Sequence, residues 1–595
     1  MVPDVPMTRA LPDAPRGAGA PLRCWRKQLA AVIACSCVLV LQGCKDDVET
    51  SGQSQQSRGQ IKGADHQFQT LAKFHDLTAE SGIDFTFRDG QEAGHFAILE
   101  LMGGGVALFD YDGDGLLDLF FTGGGRFGPN REILGLSSAL FHNDGAMRFQ
   151  NVSALAGVQF APYYSQGAAV GDYNSDGFAD LLMTGYGALA LFCNQGDGTF
   201  SEIARTAGLA DALWSTGAAW GDLNGDGVLD LYVAHYVNWS WDNNPYCEVS
   251  RRGQRDVCPP KDFEALPHAM YYGNGDGTFR DVSREAGLEP DGATGKGLGV
   301  VIADLDLDGR LDIYVGNDTT PNFLYHNLGE GKFEEIGNRS GTALSEMATP
   351  DGSMGVDVGD YNGDGLPDIW VSNFEKENMA LYRNEGNCRF LHVSRLTGVA
   401  AVGTMFVGFG TLFFDFDRDG DEDVFVSNGH VCRHPVYAPF RQAPLLFENR
   451  GGTRFLNVAS AAGAYLAEPH LGRGAAAGDI DNDGDLDLVV SHLNEPVVLL
   501  ANESPNQNQW LQARLIGVTS HRDAVGARLT LTTSQGVQTR QVKGGGSYLS
   551  ASDRRVFFGV PRGARIEKLS IRWPSGAAQE ISDLAADRFI TIIEH

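Results

Sequence analysis

A nine-residue pattern of oxygen-bearing side chains recurs seven times and constrains the fold more than any other feature. In each copy Asp or Asn stands at positions one, three, five and nine, and Gly stands at position six. Ca²⁺ takes six to eight oxygen ligands, and loops with this spacing supply them from side chains and from the backbone carbonyl of position seven. The pattern therefore predicts a calcium loop in each copy. We call the copies loop 1 to loop 7 in chain order; they begin at Asp110, Asp172, Asp222, Asp304, Asp360, Asp415 and Asp479.

The predicted metal ligands are the residues at positions one, three, five, seven and nine of the loops. They are Asp110, Asp112, Asp114, Leu116, Asp118, Asp172, Asn174, Asp176, Phe178, Asp180, Asp222, Asn224, Asp226, Val228, Asp230, Asp304, Asp306, Asp308, Arg310, Asp312, Asp360, Asn362, Asp364, Leu366, Asp368, Asp415, Asp417, Asp419, Asp421, Asp423, Asp479, Asp481, Asp483, Asp485 and Asp487. Two carboxylates about 4 Å apart repel by roughly 4 kcal/mol at an effective dielectric near 20, so such clusters favour a cation. About seven Ca²⁺ ions are expected. The alternative is a set of metal-free acidic turns, which Asp, Asn and Gly also build.

The loop spacing indicates a repeat architecture. It runs from 50 residues, between Asp172 and Asp222, to 82 residues, between Asp222 and Asp304. The shortest unit contains four short strand patterns separated by turns, and four strands per unit are typical of a β-propeller blade. The sequence therefore predicts an all-β repeat array with propeller-like units over residues 71–503. An open solenoid is the alternative.

The two ends of the array are complementary. The last unit lacks a fourth strand, whereas Phe74 to Thr78 resembles the fourth strand that begins at Phe279 but has no unit before it. Pairing of residues 72–78 with residues 496–501 would complete the seventh blade and remove an unpaired edge.

The Asp loops stop before the last part of the chain, residues 504–595. Alternating apolar residues with Gly and Pro punctuation predict a small β-sandwich there. Its expected strands are Trp510–Ile516, Arg528–Thr533, Gln538–Lys543, Val556–Val560, Ile566–Arg572 and Phe589–Ile593.

The first residues resemble an export signal with a lipid attachment site. Basic residues precede the apolar run Leu29 to Leu41, which is too short to span a bilayer, and Cys44 follows that run closely. The segment resembles the bacterial lipoprotein signal peptide, which implies that residues 1–43 are removed and that Cys44 is lipidated. Residues 44–70 are then a flexible tether. An ordinary secretory peptide with an incidental Cys is the alternative.

The array and the C-terminal motifs together resemble a known family. The loops and the recurring turns are similar to those of the FG-GAP/VCBS repeat proteins, whose propellers carry calcium loops between the first two strands of a blade. This resemblance implies a seven-bladed β-propeller over residues 71–503. The stretches 524–528, 544–548 and 571–576 resemble the ASPIC/UnbV domain. This domain order looks like the cartilage acidic protein family in its bacterial lipoprotein form, which implies architecture more than activity.

The longest unit contains an insertion, which we define as His235 to His268, between its second and third strands. Cys247 and Cys258 lie within it, and export makes a disulfide between them plausible; two unrelated thiols are the alternative. Aromatic residues and Arg are enriched at interface cores, so the insertion is the predicted partner-binding site. Its candidate residues are Trp239, Trp241, Tyr246, Arg251, Arg252 and Arg255. The alternative is a lid that touches no partner.

Composition and motifs narrow the function classes. The formal net charge is −30, and the sequence shows no basic stripe, so nucleic acid is not an expected partner. The sequence contains no zinc-protease motif, nucleophile elbow or Walker loop. For the lone histidines, such as His235, His326, His430 and His492, structural or channel-facing roles are favoured over metal binding.

Two functions stay open at this point. The first is a calcium-binding scaffold or binding module, held on a membrane outside the cytoplasm by its lipid anchor and recognising an unknown protein or glycan. The second is an extracytoplasmic enzyme that acts on a glycan or small molecule, with its site in the propeller channel. Fold alone does not decide between them.

Overall fold

The computed structural model describes residues 70–159, 161–248, 253–288, 294–505 and 507–595. All of these fall within the compact unit Phe68–His595. The predicted signal peptide, the tether up to residue 69, the lipidation site Cys44 and the partner-binding candidates Arg251 and Arg252 lie outside the described residues.

The fold is all-β, and seven antiparallel sheets make up most of the described chain before residue 504. We number them sheet 1 to sheet 7 in the chain order of their loops. Sheet 1 contains β2 (Val106–Phe109), β3 (Asp118–Phe121), β6 (Ala139–Asn143) and β7 (Phe149–Asn151). Sheet 2 contains β8 (Ser165–Gly171), β9 (Asp180–Gly185), β10 (Ala190–Asn194) and β11 (Phe200–Glu202). Sheet 3 contains β12 (Ser215–Gly221), β13 (Asp230–His235), β16 (Ala269–Gly273) and β17 (Phe279–Asp281).

The remaining four sheets repeat the same plan. Sheets 4 to 7 contain β18 (Gly297–Ala303), β19 (Asp312–Asn317), β20 (Phe323–Gly329) and β21 (Lys332–Glu335); β22 (Val356–Gly359), β23 (Asp368–Val371), β24 (Ala380–Asn384) and β25 (Phe390–His392); β26 (Gly408–Phe414), β27 (Asp423–Asn428), β28 (Leu445–Asn449) and β29 (Phe455–Asn457); and β30 (Gly472–Gly478), β31 (Asp487–His492), β32 (Val498–Asn502) and β1 (Phe74–Asp76). In every sheet the second strand begins at position nine of the loop, so each loop joins the first strand to the second.

Sheet 7 combines the two ends of the array. Strand β1 pairs antiparallel with β32, with Phe74 opposite Asn502 and Asp76 opposite Leu500. The backbone N–H of Leu77 also donates to the carbonyl of Leu499 at 3.0 Å. The predicted pairing of residues 72–78 with the end of the array is therefore confirmed.

The first strands of the sheets contact one another in a cyclic order. Strand β2 contacts β8, the contacts continue through β12, β18, β22 and β26 to β30, and β30 contacts β2. Side chains of adjacent sheets interleave in shared clusters; one of these unites Val106 and Leu108 of sheet 1 with Ala476 and Val489 of sheet 7. Each sheet therefore packs against neighbours on both sides, which explains why the residues of its first three strands are mostly buried.

A C-terminal segment, residues 544–551, lies against these first strands and is called the axial segment below. Its residues Gly544 and Gly545 form the short strand β36, which pairs with β18. Further along, the carbonyl of Ser547 accepts a hydrogen bond from the N–H of Val356 at 3.1 Å, and the carbonyl of Leu549 accepts one from the N–H of Ala168 at 3.0 Å. The segment thus pairs with backbone groups of several sheets.

The C-terminal residues form two further sheets. Their strands are β33 (Gln509–Ile516), β34 (Arg528–Thr533), β35 (Gly536–Gln541), β37 (Val556–Val560), β38 (Ile566–Arg572), β39 (Ala578–Ser582) and β40 (Arg588–Ile593). One sheet has the order β37-β33-β40 and the other β35-β34-β38-β39. Buried residues of both sheets, such as Leu511 and Leu569, share one apolar cluster. The predicted strands are present, but β35 is shifted two residues toward the N-terminus, and β39 was not predicted.

Helices are short in the part of the chain that the structure describes. The α-helices α1 to α4 are Thr78–Ser81, Ser283–Ala286, Gly337–Ser340 and Ala464–Ala467. Single 3₁₀ turns occur at Gln91–Ala93, Ile98–Leu101, Pro129–Arg131, Trp241–Asn243, Pro260–Asp262, Val399–Val402 and Ala459–Ala461. Two small hairpins pair β4 (Gly125–Phe127) with β5 (Ile133–Gly135) and β14 (Cys247–Glu248) with β15 (Arg255–Asp256). Among the described residues, no helix has the length and apolar character needed to cross a bilayer.

Candidate metal centres

The seven loops adopt one backbone conformation that depends on the Gly at position six. This Gly has a positive φ in every loop, between 85° in Gly365 and 100° in Gly177, a region that side chains with a Cβ disfavour. Its N–H donates to the carboxylate of position one in all seven loops. The donors are Gly115, Gly177, Gly227, Gly309, Gly365, Gly420 and Gly484. The loop therefore wraps around the position-one carboxylate.

The carboxylate of position nine ties each loop to its own sheet. In loop 2, Asp180 accepts from the N–H of Tyr173 at 3.2 Å and from the N–H of Asn194, at the end of the third strand, at 2.8 Å. The same pair of bonds occurs in every loop. The position-nine residues are Asp118, Asp180, Asp230, Asp312, Asp368, Asp423 and Asp487. Positions one and nine are thus both fixed by backbone donors.

Electrostatics in the loops disfavour carboxylate charge. Burial, together with neighbouring loop carboxylates, raises the pKa of Asp118, Asp180 and Asp230 to about 8. At position one, burial raises the pKa of Asp304 and of Asp479 to about 7. Hydrogen bonds to backbone N–H groups do not offset these effects. A divalent cation would offset them, because it supplies the opposite charge at the ligands' own oxygens.

Loop 7 contains oxygens that fit a cation. Among the described residues, Oδ1 of Asp479 and Oδ1 of Asp481 are buried and accept no hydrogen bond. A buried carboxylate oxygen without a donor is costly, and a metal ion is one of the partners that relieves this cost. The donor set of carboxylate, amide and carbonyl oxygens is the one that Ca²⁺ prefers.

Adjacent sheets are linked at the loops by an Asn at the end of the third strand. In sheet 5, Nδ2 of Asn384 donates to the carbonyl of Leu305 in loop 4 at 2.8 Å, and Oδ1 accepts from Gly386 at 2.9 Å. Equivalent bonds connect Asn194 to loop 1, Asn327 to loop 3, Asn449 to loop 5, Asn502 to loop 6 and Asn143 to loop 7. In sheet 3 the position is Gly273, which has no amide side chain. The backbone of a loop is therefore tied to the next sheet in six of the seven cases.

The C-terminal residues contact the loops, a contact that the sequence did not predict. In loop 2, Asp523 accepts from the N–H of Asp172 at 2.9 Å. Donors from the C-terminal residues reach backbone carbonyls of other loops: Gln541 to Asp304, Arg528 to Gly365, Arg540 to Gly420 and Arg555 to Asp479. These donors use backbone carbonyls, whereas two other C-terminal side chains lie near carboxylates of position one. Nε of Arg522 is 3.5 Å from Oδ2 of Asp172, and a guanidinium nitrogen of Arg514 is 3.9 Å from Oδ2 of Asp110.

A second contact missed in the sequence comes from the residue before the Asn of the third strand. We call this the flanking position. In sheet 1 it is His142, whose Nδ1 lies 3.3 Å from Oδ2 of Asp112 and 3.3 Å from Oδ1 of Asp118. In sheet 4 it is His326, for which the sequence favoured a structural or channel-facing role. Its fixed place before the Asn of the Asn-x-Gly turn is the signal that would have placed it beside a loop.

The insertion packs inward, which corrects the predicted role of Trp239. The side chain of Trp239 is buried, and its ring lies 5.5 Å from that of Tyr186. Trp241 is half-buried, with its ring 4.8 Å from that of His95. Arg255 donates to the carbonyl of His95 at 2.7 Å. These contacts fix the insertion against the residues around Tyr186 and His95, because a long loop gains stability when its aromatic groups are buried.

Two features of the insertion are compatible with recognition. Tyr246 is 63% exposed, and the guanidinium of Arg255 lies 5.4 Å from the centre of its ring. Cys247 and Cys258 are joined in a disulfide next to the pair of strands β14 and β15. The bridge fixes the chain directly after Tyr246.

Comparisons with known proteins agree with the predicted repeat and C-terminal domain. The family model described as FG-GAP-like repeat matches residues 110–183, 172–233, 268–315, 304–371 and 360–426, and the model described as ASPIC and UnbV matches residues 517–595. Cartilage acidic protein 1 of Mus musculus is 25% identical over 520 residues, which cover 82% of this chain and 73% of that protein. The human protein is 25% identical over 502 residues, covering 79% of this chain and 69% of that protein.

Among solved structures the matched chains are more distant. A lectin of Agrocybe aegerita, described as recognising non-reducing terminal N-acetylglucosamine, has 16% identity and a TM-score of 0.38 over 69% of this chain and 90% of that chain. A likeness at this level says nothing about function. The two kinds of module that the sequence motifs predict are nevertheless both confirmed by the family models.

Proposed function

We propose that this protein is a calcium-dependent binding module of the cell envelope. The proposal starts from its FG-GAP-like repeats, its ASPIC and UnbV domain and its homology to cartilage acidic protein 1. In this proposal the seven sheets are the blades of a closed propeller, and about seven Ca²⁺ ions occupy its loops. The cyclic contacts of the first strands support closure.

The observation that carries the proposal is the repeated loop geometry. Each loop brings together carboxylates that burial makes unfavourable as charges, and loop 7 holds two buried oxygens without donors among the described residues. The C-terminal residues and the next sheet both contact the same loops. Calcium would therefore stabilise not only seven turns but also the contacts that these turns make.

The second candidate, an enzyme with its site in the propeller channel, is less well supported. The axial segment lies along the first strands, and Oη of Tyr548 donates to the carbonyl of Met102 at 3.0 Å. The fully buried Arg473 donates to the carbonyl of Leu101 at 3.0 Å. In a closed propeller these side chains would occupy the space that a channel site needs.

A surface patch at the insertion supports partner recognition of a protein or glycan. Tyr246 is exposed, and its ring is braced by Arg255 beside a disulfide. A rigid aromatic group with a polar edge and a neighbouring cation suits a partner with hydroxyl or anionic groups. Arg251 and Arg252, close by in the sequence, stay candidates for the same recognition role.

The proposed location follows from the N-terminal sequence. Cys44 would carry the lipid and hold the mature chain on a membrane outside the cytoplasm, with residues 45–70 as a spacer. Fractionation of cells that express the full chain tests this. The Cys44→Ala variant is expected in the soluble extract, and its retention with membranes would contradict the anchor.

Recovery of partners from envelope extracts tests the binding function. The mature protein is immobilised in Ca²⁺ or in chelator, and captured proteins and glycans are identified. Specific capture in Ca²⁺ that falls for Tyr246→Ala is expected, while Leu155→Ala, an exposed apolar residue after sheet 1, serves as the matched control. Equal capture by wild type and Tyr246→Ala would place the binding surface elsewhere.

A further inference from the structure

Loop 4 is bordered by two side chains that a calcium loop does not use. His326 projects from β20 of sheet 4, and Cys388 lies in the turn between β24 and β25 of sheet 5. One potential ligand atom from each of Asp306, Asp312, His326 and Cys388 lies within 4.8 Å of all the others. Two neighbouring sheets thus bring nitrogen, sulfur and oxygen donors to one point.

The separations are close to those of a tetrahedral arrangement. Nδ1 of His326 lies 3.1 Å from Oδ1 of Asp312, 3.8 Å from Oδ2 of Asp306 and 3.8 Å from Sγ of Cys388. Sγ of Cys388 lies 3.9 Å from Oδ2 of Asp312. Zinc–ligand bonds of about 2.0 to 2.3 Å at tetrahedral angles place neighbouring ligand atoms about 3.3 to 3.6 Å apart. Small side-chain shifts therefore suffice to form the site.

The thiol stands at a position that carries glycine in sheets 2, 3 and 4 and Met147, also at positive φ, in sheet 1. Cys388 is a free, buried cysteine with a φ of 49°. The equivalent residue, two before the Phe of the fourth strand, is Gly198, Gly277 and Gly331 in sheets 2, 3 and 4, each also at positive φ. A side chain in this left-handed conformation strains the backbone. Sheet 5 thus places a sulfur donor at a position where glycine would be easier.

We propose that Asp306, Asp312, His326 and Cys388 form a binding site for Zn²⁺. Thiolate and imidazole ligands select zinc over calcium, which takes oxygen ligands. On binding, the sulfur–zinc bond forms, and the thiol proton passes to solvent. Cys388 and Asp312 are buried, and the other two residues are half-buried, so the ion can enter from the side of Asp306 and His326.

The zinc site overlaps loop 4 but does not depend on calcium at the other loops. Asp306 and Asp312 are also positions three and nine of loop 4. Zinc there replaces or adjoins calcium in one loop, and the remaining six loops are unaffected. A failure of zinc binding and a failure of the proposed calcium binding are therefore separate results.

Loop 1 is an internal control for this site. Asp112, Asp118 and His142 repeat the arrangement of Asp306, Asp312 and His326, with ligand atoms again within 4.8 Å. The position of Cys388 is taken there by Gly198 of sheet 2. A Cβ on Gly198 would lie 4.0 Å from the Tyr111 ring, so a larger side chain has room, but the φ of 84° strains it, as positive φ strains Cys388.

Cobalt titration tests the proposal, since Co²⁺ takes zinc sites and a thiolate ligand gives it a strong near-ultraviolet charge-transfer band. The whole protein, in buffer with Ca²⁺, should bind one equivalent of Co²⁺ with such a band, and Zn²⁺ should abolish the band. The absence of a thiolate band from folded protein, or a band that Zn²⁺ does not displace, would overturn the proposal.

Variants locate the ligands. Cys388→Gly installs the residue of sheets 2 to 4 and should fold well, and both it and His326→Gln should lose the band. Cys193→Ala, at the flanking position of sheet 2, should keep it. A band that persists in Cys388→Gly, or disappears in Cys193→Ala, would refute the assigned ligands; thermal melts confirm that each variant is folded.

A gain-of-function variant makes the test stricter. Gly198→Cys should create a second site in loop 1 and double the band intensity at saturation. Thermal melts confirm that the Gly198→Cys protein is folded. If the folded variant binds only one equivalent of Co²⁺, a Cys and a His at these positions, with two Asp, do not suffice to bind the metal.

Discussion

Buried carboxylates behave in opposite ways in the loops and in the C-terminal domain. Asp118 in loop 1 accepts two backbone N–H bonds, from Tyr111 and Asn143, yet burial raises its pKa to about 8. Glu594, directly after the last strand, accepts N–H bonds from Val518, Thr519 and Ser520 at 2.7 to 2.8 Å. Both residues are buried, so the groups that face them make the difference.

The contrast lies in how many donors face each group and what else is nearby. Burial would raise the pKa of Glu594, but the Ser575 hydroxyl and the N–H groups of Val518 and Ser520 outweigh it and bring the pKa to about 2. Asp118 instead has Asp112 and Asp110 beside it. The C-terminal carboxylate is satisfied by donors of the protein alone, whereas a bound cation would offset the charge of the loop carboxylates.

Of the changes considered, removal of calcium should lower the stability of the protein most, because it acts on the loop carboxylates and not on Glu594. Each ion that binds only the folded state adds about 2.7 kcal/mol at a free concentration of one hundred times its Kd. Across several loops, excess chelator should lower the thermal midpoint by on the order of 10 °C or more. Differential scanning calorimetry in Ca²⁺ and in chelator measures this, with Mg²⁺ as the control for ionic strength. Identical midpoints would mean that the loops are ordinary turns.

Neutralising one loop carboxylate should have an effect that depends on calcium. Asp180→Asn keeps an acceptor for the N–H of Tyr173 but removes the negative charge of a carboxylate. Burial raises the pKa of that carboxyl group, so its charged form is unfavourable without a cation. In Ca²⁺ the variant should lose about 2 kcal/mol or more, because a ligand is lost. In chelator it should lose less, or gain, because a buried unpaired charge is gone. Denaturant melts in both buffers give the two values; an equal loss in both would remove calcium from the explanation.

The sequence predicts the loops and the pairing of β1 with β32, but it does not predict the axial segment or strand β39. The Asp spacing specifies the loops because backbone geometry and ligand order are local, and the complementary ends specify the β1–β32 pair. The axial segment was not predicted, because Gly544 to Gly546 has no apolar pattern to show what it packs against. Strand β39 was missed because its residues lie at an edge and alternate only between exposed and half-buried.

The direction in which an aromatic side chain points is likewise not local. Trp239 lies in a polar insertion, where sequence alone permits either a partner or the protein's own surface as its neighbour. The structure turns it toward Tyr186, and Asp256 of the same insertion accepts a hydrogen bond from the N–H of Arg433 at 3.0 Å. These contacts join residues far apart in sequence, so no pattern within the insertion contains them.

The C-terminal carboxylate should respond to acid in the way expected of a lowered pKa. The pKa of Glu594 shifts from its ordinary value of 4.5 to about 2. Its contribution to stability should be complete above about pH 4.5 and should be lost as pH falls toward 2. Glu594→Gln should therefore be less stable than wild type at pH 6, by an amount that shrinks below pH 4.5. Melts from pH 6 to 3 check this, and a difference independent of pH would contradict the donor set described.

The smallest effect is expected where neighbouring sheets are linked at the loops. Asn384→Ala removes donors to Leu305 at 2.8 Å and Pro367 at 2.9 Å and should cost about 1 to 2 kcal/mol. It should also reduce the cooperativity of calcium binding between loops 4 and 5. Isothermal titration compares it with Gln195→Ala, which removes an exposed amide in the turn between β10 and β11. Unchanged stability and unchanged cooperativity would show that the loops act independently.

Native mass spectrometry of the protein after dialysis in dilute Ca²⁺ tests the central claim most directly. We expect seven Ca²⁺ ions per chain in wild type and six in Asp180→Asn, whose loop 2 has lost the ligand that closes it. Glu594→Gln should still carry seven, because that carboxylate needs no cation. A wild-type spectrum without bound calcium, or the same number of ions in Asp180→Asn, would contradict the account.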